Sequence, residues 1–256
     1  MSTLPAALFE AARTNPQQAA LEVWGPHDGV TLRVTYKELS DNVCAASILL
    51  SSTAGIIAGD RVAFLAHNSV AYVALSLGAM ACGATSVNLS WRSPDAIVEA
   101  CCRDLRVKLL FASSPFKKAA ASIARSVPGV QLMLLEAVCA APLADNLPFP
   151  SPTLGECAEI ISREAAREGD SAEGGSAVAA IFFTGGTTGM PKAVPHTHAA
   201  LLWQARAVAS EFPSGLDLDS VPHAGTVCFT PYFHVMGFCA NLLFNLVAGV
   251  RAAILR

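Results

Sequence analysis

Residues 61–88 read RVAFLAHNSVAYVALSLGAMACGATSVN. Arg61–Ala66 is a short apolar run of the kind that forms a strand. Asn68 or Ser69 can cap a helix, and the helical pattern then continues to about Met80. Gly83 stops it, and Ala84–Asn88 is a second strand. Strand, helix and strand in about 30 residues form a βαβ unit. The wider stretch Val62–Trp91 contains no Asp, Glu, Lys or Arg. Parallel strands covered on both faces give near-continuous apolar runs of this kind.

The same rhythm continues downstream. Ser93-Pro94-Asp95 opens a helix to about Arg103, Val107–Ala112 is a strand, Pro115–Val127 a helix and Val130–Leu135 a strand. Successive units of this type specify an α/β fold, a wound and mostly parallel sheet with helices on both faces. Upstream, Leu4–Arg13 is an amphipathic helix stopped at Asn15-Pro16, and Ala19–Trp24 and Thr31–Thr35 are strands about a Gly25–Gly29 turn. Thr35 and Glu38 have the spacing of a capping box, with a helix to about Ser51. Further on, Ala140–Pro152, Glu164–Gly175 and Pro213–Ala224 read as connections. Ala177–Phe183 and Thr226–Phe229 read as strands, Leu201–Phe212 and Met236–Val247 as helices. A last strand begins at Val250–Leu255, with Gly249 ending the helix before it.

Composition narrows the function classes. The chain has 256 residues, 53% apolar and 14% charged, with a formal net charge of -3. So little charge and so much apolar surface exclude global disorder. Lys and Arg are scattered without a basic stripe, so no nucleic-acid partner is expected. Uncharged runs of about 20 residues raise the question of a bilayer span. His67-Asn68-Ser69, Gly78 and Gly83 break the first run, and Pro222, Pro231, Gly237, Asn241 and Asn245 break the second, Ser220–Val250. No integral membrane span is expected. The eight cysteines include no CxxC pair and lie mostly in apolar stretches, where a thiol packs as a small hydrophobe. The N-terminus lacks the basic start and apolar core of a secretory signal. An intracellular location, cytoplasmic before any organelle, follows as the expectation.

The candidate site is Thr184–Lys192, TGGTTGMPK, directly after an apolar strand. Gly185, Gly186 and Gly189 let the main chain approach a ligand. Thr184, Thr187 and Thr188 supply hydroxyls, and Lys192 a mobile positive charge. Successive backbone amides in such a loop form an anion-binding concavity, suited to a polyphosphate. The plain alternative is a flexible glycine hairpin with a solvated lysine. The pattern is neither a Walker loop nor G-x-G-x-x-G, because Met190 and Ala193 stand where the Walker spacing needs Gly and Ser or Thr. His196-Thr197-His198 reads as a helix start with Thr197 as N-cap, and Cys101-Cys102 as core packing; no metal site is read from either. No role is read for Arg92.

Ile181–Lys192 resembles the signature loop of the adenylate-forming (AMP-binding) superfamily, which includes acyl-CoA synthetases. It departs from the usual T-S-G-T-T-G-x-P-K-G at Gly185 and Ala193. Pro231-Tyr232-Phe233-His234-Val235-Met236-Gly237 is similar to that family's P-x-F-H-x-x-G segment. Val34–Leu39, Gly59–Ala63 and Leu77–Ala84 resemble its earlier landmarks in the right order. The resemblance implies that Thr184, Gly185, Gly186, Thr187, Thr188, Gly189 and Lys192 bind the ATP phosphates. It implies that Lys192 also offsets their charge during catalysis, and that His234 lines the acid site. ATP with Mg2+, coenzyme A as co-substrate and a small-molecule carboxylic acid are the implied ligands. The implied layout is 1–58 as the first part of an outer α/β subdomain, 59–209 as a central wound subdomain, and 210–256 as the start of a return to the outer one.

The family's Y-G-x-T-E and T-G-D segments do not occur in this sequence. The expectation is therefore the N-terminal fragment of an acid–thiol ligase, with little adenylating activity alone and an outer-sheet edge open to self-association. The alternative is a catalytically inactive truncated paralogue with residual nucleotide binding or an association role.

Overall fold

A computed structural model describes residues 3–27, 29–138, 154–169, 175–185, 189–210 and 225–255. The chain opens with helix α1 (Leu4–Thr14), the antiparallel strands β1 (Ala19–Gly25) and β2 (Gly29–Thr35), and α2 (Tyr36–Ile48). Alternation then gives β3 (Arg61–Leu65), α3 (Val70–Ala81), β4 (Thr85–Asn88), α4 (Asp95–Asp104), β5 (Leu109–Ala112), α5 (Lys117–Ser126) and β6 (Gln131–Leu134). After the short α6 (Leu135–Val138) come α7 (Leu154–Gly169), β7 (Val178–Thr184), β8 (Lys192–Thr197) and α8 (His198–Ser210). The last described elements are β9 (Gly225–Cys228), α9 (Val235–Phe238), α10 (Phe244–Ala248) and β10 (Arg251–Leu255).

Two sheets result. The six-stranded sheet has the order β6-β5-β3-β4-β7-β8, and every pair is parallel except β7 with β8. The four-stranded sheet has the order β2-β1-β10-β9. In the larger sheet the chain moves from β3 to β4 on one side, then returns past β3 to β5. That reversal is a topological switch point, and ligands of open α/β sheets bind beyond the carboxyl ends of the strands there.

Period-two alternation divides the core. Val62 and Phe64 of β3, with Leu109 and Phe111 of β5, join a large core with α2, α3 and the smaller sheet. Ala63, Leu65, Leu110 and Ala112 face α4 and α5 in a second core. Both faces of the sheet are therefore dry, which explains its apolar strands. Helix α3 is buried along its entire length. It is uncharged because no part of it meets water. No described helix is long and apolar enough to cross a membrane.

Local signals set the helix ends. Ser69, and not Asn68, caps α3, its hydroxyl accepting from the Tyr72 amide at 3.1 Å. Thr35 and Glu38 form both halves of the capping box. Gly83 carries the positive φ that ends the α3 region. The α2 and α3 backbones approach so closely that a Cβ on Gly78 would lie 2.6 Å from that of Ala46.

The structure corrects several expectations. Glu164–Gly175 does not begin as a loop, since α7 runs through Gly169. Its Glu, Arg and Ala content favours a helix, and Cys157 and Ile160 anchor it on the core. The helix expected over Met236–Val247 is interrupted by a π-turn at Cys239–Leu243, and α2 ends in another at Leu49–Thr53. Lys192 does not lie in a loop; it is the first residue of β8, a strand the sequence reading missed. The final strand, expected at Val250–Leu255, needs no such correction: it is present as β10 and lies in parallel register between β1 and β9. Ala140–Pro152 and Pro213–Ala224 lie outside the described residues.

Candidate nucleotide-binding site

The glycine-rich segment is a β-hairpin connection. Thr184 ends β7, Lys192 begins β8, and the two are directly opposed in the antiparallel ladder. Opposed Cα atoms in such a ladder lie about 4.5–5.5 Å apart. The loop thus leaves and re-enters the sheet at one point, beyond the carboxyl end of β7. Thr184, Gly185, Gly189 and Lys192 are exposed, and a Cβ at Gly185 or Gly189 would meet nothing within 4 Å. Gly186, Thr187 and Thr188 lie outside the described residues. The described ends of the loop are uncrowded.

The second motif folds over the same sheet edge. His234 caps the short helix α9, its Nδ1 accepting from the Met236 amide at 3.2 Å. It is exposed, so it is not the buried core histidine that a lone His on an apolar segment suggests. Phe238, one turn later (about 5.4 Å), packs its ring 5.5 Å from that of Phe182. Phe182 stands two strand residues (about 6.6 Å) before Thr184. One aromatic pair therefore ties the histidine segment to the strand that carries the loop. Gly237 makes this possible: a Cβ there would collide with the Pro231 carbonyl oxygen and lie 2.7 Å from that of Thr230.

Residues from the switch point complete the edge. The Asn68 side-chain amide donates to the Thr230 carbonyl at 2.9 Å, and its oxygen accepts from the Tyr232 amide at 2.8 Å. Trp91, after β4, packs against Phe233, Phe116 and His67, with centroids 4.9–6.0 Å apart in that group. The Arg92 guanidinium lies 4.9 Å above the Trp91 ring. Tyr232 is fully buried beside Tyr72, and burial pushes its hydroxyl pKa well above the ordinary value. Tyr72 donates to Asn88 Oδ1 at 2.7 Å, and Asn88 donates to the Ile181 carbonyl in β7 at 3.3 Å. The sequence reading missed Asn68, seeing only a rival cap for α3. Its true partners lie more than 160 residues away.

The histidines after the hairpin diverge. His196, in β8, meets the edge of Phe182, and burial lowers its pKa. His198 is buried, its Nδ1 accepting from the Leu4 amide at 3.2 Å. Thr197 caps α8 through the Ala200 amide at 3.2 Å. Cys101 and Cys102 are both buried in the core beneath α4.

A mostly parallel sheet, with a hairpin at the carboxyl end of β7 and a histidine-bearing helix start tied to that strand through Phe182 and Phe238, is an α/β arrangement of a recognisable class. Residues 8–256 match the family model for AMP-binding enzymes, and the chain belongs to that family. It is 29% identical to the long-chain-fatty-acid–CoA ligase FadD13 of Mycobacterium tuberculosis, over 86% of this chain and 39% of that protein. It is 28% identical to the oxalate–CoA ligase of Arabidopsis thaliana, over 98% of this chain and 45% of that protein. The chain thus spans less than half the length of these curated relatives. Among solved structures, it superposes on ATP-bound MatB from Rhodopseudomonas palustris with a TM-score of 0.73 at 20% identity, covering 100% of this chain and 45% of the other. On the N-terminal domain of FACL13 from Mycobacterium tuberculosis the score is 0.69 at 23% identity, covering 100% and 57%. These structures share the fold.

Proposed function

We propose that this chain supplies the triphosphate-binding loop and one wall of the acid site of an AMP-forming acid–thiol ligase. The opposition of Thr184 and Lys192 across the hairpin carries the reading, because it sets a hydroxyl and a cation on either side of a glycine-rich turn at the sheet's carboxyl edge. The CoA-ligase relatives support it.

In the proposed chemistry a carboxylate oxygen attacks the α-phosphorus of ATP. The bond to the bridging oxygen of the β-phosphate breaks, and pyrophosphate leaves. A thiol, that of coenzyme A, then attacks the acyl carbon and expels AMP. Lys192 and the amides of 184–189 (with Gly186, Thr187 and Thr188 among them) neutralise the β- and γ-phosphates as charge builds on pyrophosphate. Mg2+ bound to the nucleotide would supply further charge neutralisation on the phosphates beside Lys192. His234, at the start of α9, faces the acid and the thiol path. Catalysis on this scheme is mostly positioning and charge neutralisation. The three-part layout 1–58, 59–209 and 210–256 belongs to the same proposal, as does a fatty or other small organic acid as substrate.

Calorimetric titration with MgATP tests the reading. Saturable binding is expected, weakened about tenfold in Lys192→Ala, the worth of one charge-assisted contact. No saturable binding, or equal affinity in the variant, sinks the assignment. ATP–pyrophosphate exchange with aliphatic, aromatic and dicarboxylic acids then reads the chemistry, where little exchange is expected from these 256 residues alone.

A further inference from the structure

We propose that Asn68 is the positioning residue for His234. The consequence for catalysis rests on the functional reading above; the clamp itself does not.

Asn68 sits in the turn between β3 and α3, at the switch point of the larger sheet. Its two amide atoms engage two main-chain groups that flank Pro231 in a distant segment, the Thr230 carbonyl at 2.9 Å and the Tyr232 amide at 2.8 Å. A donor and an acceptor on one short, planar side chain imitate the edge of a strand. The orientation of the amide is fixed by its partners, because Thr230 offers only an acceptor there and Tyr232 only a donor.

The segment so held leads straight into the cap. The Pro231 carbonyl accepts from the His234 amide at 3.0 Å, and the His234 carbonyl from the Phe238 amide at 3.0 Å. Gly237 packs without a side chain against the Thr230 and Pro231 carbonyls. This turn follows β9, which belongs to the smaller sheet. Asn68 therefore carries the register of the larger sheet, and of the hairpin on it, to a histidine borne by the smaller one. Phe182 with Phe238 and Trp91 with Phe233 supply apolar contact between the same partners. Rings can slide over one another; a paired donor and acceptor cannot.

Amide hydrogen exchange of the 256-residue chain, read by mass spectrometry, tests the clamp without any ligand. In Asn68→Ala, exchange in the segment 229–238 should rise about tenfold, the worth of one buried hydrogen bond. Peptides from β3, β5 and α5 should keep wild-type rates. Asn68→Asp keeps the acceptor for the Tyr232 amide but sets a carboxylate oxygen against the Thr230 carbonyl, so exchange should fall between wild type and Asn68→Ala. Carbethoxylation of His234 by diethyl pyrocarbonate should change rate in Asn68→Ala and return toward wild type in Asn68→Asp. Unchanged exchange in 229–238, or a uniform rise across both sheets, overturns the proposal. If Asn68→Ala fails to fold, Asn68→Asp alone decides: its lost donor to the Thr230 carbonyl should raise exchange in 229–238 above wild type, and wild-type exchange there counts against the clamp. Absence of MgATP binding by the wild-type chain would remove the functional reading and leave these measurements as they stand.

Discussion

A Cβ on Gly237 would collide with one main-chain carbonyl oxygen and lie 2.7 Å from another. Neither obstacle is the free end of a side chain, so relief requires the backbone to move. Gly237→Ala is expected to cost about 2 kcal/mol, the usual scale of overpacking in a tight core. Urea denaturation would measure it, and a change under about 0.5 kcal/mol would show that the turn yields easily. Asp60 makes a different residue-scale argument. Burial tends to raise its pKa, but hydrogen bonds from Lys108 and the Ile57 amide, with the charges of Lys108 and Arg61, bring the net value below the ordinary one. A depressed folded-state pKa contributes stability above the unfolded value and loses it as pH falls through the folded one. The stability gap between wild type and Asp60→Asn should be full above about pH 5 and shrink as pH drops through about 4 and below. Denaturation midpoints at several pH values check it, and a gap that widens with acid would reverse the assignment.

At the scale of elements, regular amphipathic or apolar segments were readable and irregular ones were not. The β3–α3–β4 unit stands where its pattern placed it, because a helix end needs only a nearby hydroxyl or glycine. Strand β8 was missed because KAVPHT carries a proline and a polar residue at each end, with no alternation strong enough to mark a strand. It exists because β7 offers it a ladder. Helix α7 was partly read as loop because its charged residues mask a narrow apolar stripe. Cys157 and Ile160 fasten that stripe to the core, and Arg163 reaches the Ala81 carbonyl at the end of α3 at 3.1 Å. The loop's place after an apolar strand was legible, and its hairpin stood in the sequence reading only as the plain alternative to a phosphate cradle.

Across the whole molecule, the smaller sheet depends on contacts between chain ends. Glu22 of β1 is fully buried and meets Arg33 of β2 at 2.9 Å and Arg251 of β10 at 3.0 Å. Tyr36 brings its hydroxyl within 2.9 Å of the Asn245 carbonyl and 2.8 Å of the Val250 carbonyl, donating to one at a time. Glu22→Gln keeps the shape and removes the buried carboxylate that both arginines meet. A loss of about 3 kcal/mol is expected, as for a broken buried ion pair, with faster amide exchange in β10. Full stability in the variant would show that solvent already satisfies those arginines. Among the described residues β9 is the outermost strand of this sheet, with Val227, Phe229 and Leu255 exposed nearby. We propose that this edge drives self-association. Sedimentation should show concentration-dependent growth that Val227→Lys suppresses, and a monomer at all concentrations would refute it.

The sequence by itself determined the α/β class, the βαβ winding and the helix caps. Each of these depends on residues within a turn or two of one another. Only the tertiary structure decided that β10 is internal, that Lys192 faces Thr184 across a hairpin, and that Asn68 holds the turn before His234. Those facts rest on pairings between distant residues, and hydrogen bonds of that kind leave no periodic trace in a linear chain.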